Sequence, residues 1–135
     1  MAPKTVPTDV DPITFIKSAD PKRVDEGLKL NELLTKITGE KPVMWGPTIV
    51  GYGSYMADEK KNITWPLIAF SPRKAELVVY IMPGFEAYEE KLRTLGPHRT
   101  GASCLYLKNL KNISLECLSD ILKDSFMRMN ERYRT

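Results

Sequence analysis

Two apolar runs set the strongest constraint on what this chain can fold into. Trp65–Ser71 reads WPLIAFS, Glu76–Met82 reads ELVVYIM, and only Pro72–Ala75 separates them. Each run is strand-length and apolar at odd and even positions alike, the pattern of a strand buried on both faces. A link this short leaves no room for a crossover helix, so the two strands must pair antiparallel. Pro66 lacks an N–H and belongs at a strand start. The pair predicts the centre of a mainly antiparallel sheet covered by helices, with Tyr80 in a central strand.

Helix signals flank this hairpin. Asp11-Pro12 and Asp20-Pro21 each place a side-chain acceptor before a proline at the first helical position. The first opens a short helix through Phe15 and Ile16. The second opens a longer one, with Val24, Leu28, Leu33, Leu34 and Ile37 as its apolar face and Gly39 and Pro42 as stop signals. A strand from about Thr48 to Tyr55 turns Gly51 and Gly53 to one side, and a helix is expected to cross that face. Asp58 to Asn62 reads as a hairpin-type loop. Tyr88, Leu92 and Leu95 line a further helix ended by Gly96 and Pro97, and Ser103–Leu107 is a short fourth strand. Ser114 caps the last helix, whose stripe is Leu115, Leu118, Leu122, Phe126 and Met129, with Ile113 and Leu118 spaced as a hydrophobic staple. The order is α-α-β-β-β-α-β-α, a single α+β domain over residues 11–135 behind a flexible arm over residues 1–10.

A chain of 135 residues buries a sufficient core without disulfides or a structural metal. Its apolar stretches are too short to span a bilayer, and the opening MAPKTVPTDVDP lacks the apolar core of a secretory signal. With Cys104 and Cys117 read as thiols, the expected setting is cytoplasmic. The net charge is +3, and residues 1–48 carry seven Lys/Arg against seven Asp/Glu, so the excess lies in the second part. So small a surplus disfavours nucleic-acid and membrane partners.

No catalytic motif is present. A serine or cysteine hydrolase needs a base, and His98 is the one imidazole. Cys104 lies six residues on, either a nucleophile near His98 or a small residue on an ordinary strand face. Metal-binding spacings are absent as well. Glu86 and Glu90 share a helix face by their spacing, either bridging a hard cation or complementing the helix dipole. Gly96-Pro97-His98-Arg99-Thr100-Gly101 offers donors suited to an oxyanion, or else is a helix cap and a basic loop. Ser71-Pro72-Arg73-Lys74 is a second basic turn. Trp45 and Trp65 sit beside Pro or Gly at element boundaries, either walling a cleft or plugging the end of the core.

The strings PVMWGPTIVGYGSY, WPLIAFSPRKAELVVYIMPGF and LGPHRTGASCLYLKNL resemble the YdhG-like family, also called domain of unknown function 1801. The resemblance covers nearly the whole chain and implies the same α+β arrangement. Some members are described as frataxin-like intracellular iron chaperones, an activity that rests on acidic surface holding iron through carboxylates. This chain departs from that pattern, because its first helical region carries as many bases as acids. The first expectation is therefore a non-enzymatic binding domain without a cofactor. It would take a small anionic or planar ligand, or a peptide from a protein partner. The cleft would be walled by Trp45, Trp65 and Tyr80, with Arg73, His98 and Arg99 as rim donors. The alternatives are an iron-binding chaperone using Glu86 and Glu90, and a homo-oligomeric interaction module.

Overall fold

The computed structural model describes residues 6–134. Helices α1 (Pro12–Lys17) and α2 (Pro21–Thr38) come first, then strands β1 (Pro42–Trp45), β2 (Ile49–Tyr52), β3 (Tyr55–Asp58) and β4 (Ile63–Trp65). The hairpin β5 (Ile68–Pro72) and β6 (Leu77–Tyr80) follows, then a 3-10 turn over Glu86–Tyr88 that leads into α3 (Glu89–Leu95). Strands β7 (Arg99–Thr100) and β8 (Cys104–Leu107) and the long α4 (Leu115–Arg134) complete the order. Among the described residues, no helix is long and apolar enough to cross a membrane.

The caps form where the sequence places them. Asp11 accepts from the Thr14 N–H and Asp20 from the Lys22 N–H, each with Pro opening the helix behind it. Gly39 ends α2 in the left-handed region, at φ +70°. Ser114 accepts from the Cys117 N–H at 3.2 Å, and Ile113 and Leu118 are both in the core, as a staple requires.

Six strands form one antiparallel sheet in the order β1-β2-β5-β6-β8-β7, while β3 and β4 pair as a separate hairpin. The β5–β6 hairpin is its centre, as the two apolar runs require. The expected Thr48–Tyr55 strand is cut in two: Gly53 has φ +68°, and the chain turns there from β2 into β3. Trp65 closes β4, so Pro66 and Leu67 separate it from β5; the missing N–H of Pro66 fits that gap. Of the expected arm, residues 1–5 lie outside the described residues. Its next part is tied to the sheet edge, with Pro7 bridging Trp45 and the Thr8 N–H donating to the Met44 carbonyl at 2.8 Å.

Residues opposite one another in register share a face. Val50, Phe70, Val79 and Leu105 run across β2, β5, β6 and β8 on one side. With Tyr52, Ile68, Leu77 and Leu107 they join Ile16, Leu30, Leu34, Leu95, Leu118, Ile121 and Leu122 in one core, so all four helices pack on that face. The other face carries Gly51, Ala69, Tyr80 and Cys104 in one row, and none of these belongs to that core. Here the expectation of a helix across Gly51 fails. A Cβ on Gly51 would stand 2.5 Å from Trp45 Cδ1 and 2.7 Å from Pro66 Cβ, so an indole and a proline occupy that space.

The buried faces of both long helices are rotated from the expected stripes. In α2 the buried residues are Arg23, Gly27, Leu30 and Leu34, with Leu28, Leu33 and Ile37 at the margins. Gly27 permits this, because a Cβ there would stand 2.8 Å from Ile16 Cγ2 of α1. In α4 Leu115 is exposed, since Ile113 enters the core in its place, and Ile121 and Ser125 are buried instead.

Arg23 is 4% exposed. Its Nη1 donates to Glu26 Oε1 at 2.6 Å, its Nε to the Arg73 carbonyl at 2.9 Å and its Nη2 to the Lys108 carbonyl at 2.6 Å. One guanidinium thus ties the start of α2 to the β5–β6 tip and to the exit of β8. Removing one member of a buried charge pair strands the other, at a cost of about 3–5 kcal/mol. Arg23→Ala should lose about that much in urea denaturation with an unchanged m-value. A loss below about 1 kcal/mol would show that water takes over these partners.

Candidate functional site

Because Arg23 gathers three segments, the β5–β6 tip, the β7–β8 pair and the chain beyond β8 meet at one end of the sheet. Lys108 stands where they join and borders three adjacent clefts. One of about 350 Å³ lies between Glu76, His98, Arg99, Tyr106 and Lys108. One of about 160 Å³ continues past Pro97 to Asn112, and one of about 350 Å³ reaches Lys22 and Lys111.

Arg99 is oriented by the edge strand β7, where a loop was expected. It pairs in register with Tyr106, and its guanidinium carbon lies 3.9 Å from the centre of that ring. Its Nη2 also reaches Glu76 Oε2 at 2.7 Å. The Arg99 side chain is 63% exposed, so this ion pair orients the group and adds little stability. The His98 Nδ1 lies 2.8 Å from the Gly96 carbonyl. A carbonyl only accepts, so Nδ1 carries the proton in this contact, and Nε2 of the neutral ring is an acceptor. Arg73 donates from Nη2 to the Tyr80 hydroxyl at 3.0 Å. Burial pushes the Tyr80 phenol above its usual range, and the charge of Arg73 pulls it back.

The balance of charge in the trough is positive. Glu26 is held by Arg23 and Glu76 by Arg99. Lys22, Lys74, Lys108 and Lys111 make no ion pair among the described residues. The arrangement suits an anion, by charge-assisted hydrogen bonds from mobile ammonium groups around one fixed guanidinium.

The predicted residues divide between places. His98 and Arg99 share the first cleft, and Arg73 stands at the neighbouring hairpin tip on Tyr80. Trp45, Trp65 and Tyr80 do not meet in any of the principal clefts. Trp45 is 2% exposed, lies over Gly51, and borders a different cleft of about 450 Å³ with Lys41, Val43 and Ser54. Among the described residues its indole N–H has no hydrogen-bond partner. Trp65 belongs to the β3–β4 hairpin opposite Tyr55, whose ring stacks 4.5 Å from that of Tyr133 in α4. Lys22, Glu76, Tyr106, Lys108 and Lys111 were not foreseen. The run Lys108-Asn109-Leu110-Lys111 was the signal available for two of them.

No bond links Cys104 to His98, and Cys104 pairs in register with Tyr80. The Cys117 thiol donates to the Lys91 carbonyl at 3.0 Å, and both cysteines are half-buried. Glu86 falls in the 3-10 turn and Glu90 in the first turn of α3, both exposed. Among the described residues, no three His, Cys, Asp or Glu side chains gather to hold a metal.

Comparison with family models, curated proteins and solved structures finds no match to this chain.

The two thiols differ in how they are held, and that difference is measurable. Native protein treated with a thiol reagent should label Cys104 ahead of Cys117, whose sulfur is engaged with the Lys91 carbonyl. Mass spectrometry of the labelled peptides reads the order. Cys117 reacting first would show that the start of α4 opens readily.

Proposed function

We propose that this chain is a non-enzymatic binding domain whose ligand is a small anion held in the trough around Lys108. The position of Lys108 carries the reading. Its carbonyl is held by buried Arg23 at 2.6 Å, while its ammonium makes no ion pair among the described residues and the residue borders three clefts. The backbone is therefore fixed and the charge is available. Arg99, already stacked on Tyr106, presents further N–H donors in a set plane beside it. Such a pairing of one planar guanidinium with several ammonium groups favours a phosphate or carboxylate on a planar body. The planar wall is Tyr106, and no cofactor is required. Kinship with the YdhG-like family is part of this proposal and rests on the three resembling strings.

The test is ion-specific stabilisation. A ligand that binds only the native state adds about 1.4 kcal/mol of stability at ten times its Kd. Phosphate should therefore raise the melting temperature more than chloride at equal ionic strength. Sulfate and phosphate also strengthen burial without any site, so the variants decide. Lys108→Ala removes an ammonium that makes no ion pair and should keep its stability in chloride while losing most of the phosphate gain. Arg99→Ala should lose it too. Equal phosphate gains in all three proteins would overturn the reading.

A further inference from the structure

A separate concavity with an apolar lining lies between the later halves of α2 and α4. It has a volume of about 400 Å³, a floor of Leu33, Ile37 and Phe126, and Met127, Lys36 and Lys123 at its sides. Met127 of α4 is 56% exposed. Lys22, in the anion trough, and Lys36 stand about 20 Å apart along α2 at the usual helical rise. The two places are therefore separate.

The charges at this groove are also uncommitted. Lys36 and Lys123 make no ion pair among the described residues. Nearby carboxylates on the same helices are engaged with other cations: Glu32 with Lys29 at 4.0 Å, Asp120 with Lys91 at 3.7 Å, and Asp124 with Arg128. Lysine stems lie along apolar surface while their ammonium groups stay at the water boundary. The groove thus offers an apolar floor beneath two unneutralised cations. Its complement is a molecule with an apolar body and an anionic head.

We infer that this groove is a binding site for a single-chain anionic amphiphile, with a carboxylate head between Lys36 and Lys123 and an alkyl chain over Leu33, Ile37 and Phe126. Size selects this occupant. The volume falls within the range of small-ligand pockets, about 300–1,000 Å³.

Calorimetric titration of the full chain with sodium decanoate, below its micellar concentration, tests the inference. Decanoate should bind one to one, decanol about tenfold more weakly for want of the charge, and butyrate not measurably for want of the chain. The double variant Lys36→Gln/Lys123→Gln changes only exposed positions and should fold with an unchanged melting temperature. Its decanoate affinity should fall about tenfold, to that of decanol. Lys108→Ala should bind decanoate as the parent does, which separates this site from the anion trough. Equal binding of decanol and decanoate would overturn the inference. So would unchanged affinity in the double variant, or a groove that takes an acidic amphipathic peptide and no decanoate.

Discussion

The burial of one guanidinium disciplines this structure. A charge withdrawn from water is tolerated only if its donors are satisfied and its charge is paired. Arg23 meets that demand with Glu26 beside it and with carbonyls 50 and 85 residues further along the chain. Glu26 in turn accepts from the Leu110 N–H. The start of α2, the tip of the β5–β6 hairpin and the exit of β8 must therefore arrive together, or none is satisfied. Apolar packing alone would fix the layers. It would not fix where a hairpin tip and a loop stand relative to a helix end.

The same network sets the local electrostatics. Glu26 and Glu76 are the acids nearest the trough, and arginines hold both. What remains at the surface is lysine. A chain with a net charge of only +3 thereby acquires a locally basic end without a basic sequence run. Whole-chain charge disfavoured nucleic-acid and membrane partners, but it does not register a local excess, because it averages over pairs that the fold forms internally. The distribution matters, and that depends on which carboxylates are already engaged.

Much of the architecture was legible. The Asp-Pro caps, Gly39, the β5–β6 hairpin and the Ile113–Leu118 staple are local devices, with donors and acceptors a few residues apart. The rotation of α2 was not legible, because a reading of apolar periodicity scores Arg23 as polar and Gly27 as neutral. Both are buried for reasons outside the helix: a carboxylate and two distant carbonyls in one case, the approach of Ile16 in the other. Gly51 did signal a close approach, but glycine does not say what approaches. It was the indole of Trp45, two residues along β1 from Val43, the register partner of Gly51, and not a helix. Arg73, His98 and Arg99 were read from loop composition, and only the sheet register brought Tyr106 under Arg99.

The failure of the three aromatics to converge follows from how the second face of the sheet is kept dry. All helices pack on the other side, yet Ala69, Ser71 and Val78 are fully buried. On this face long side chains lie along the strands: Trp45 over Gly51, Arg73 towards the Tyr80 hydroxyl, Arg99 on Tyr106. An indole at 2% exposure is shielding the sheet and has little surface left to offer a ligand. Tyr80 is likewise engaged by Arg73. The groups that retain reach are those the fold has no use for as cover, the lysines that make no ion pair among the described residues. Unpaired cations on this scaffold therefore stand at its ends and helix grooves, next to apolar or planar walls, and not at the aromatic centre of the sheet.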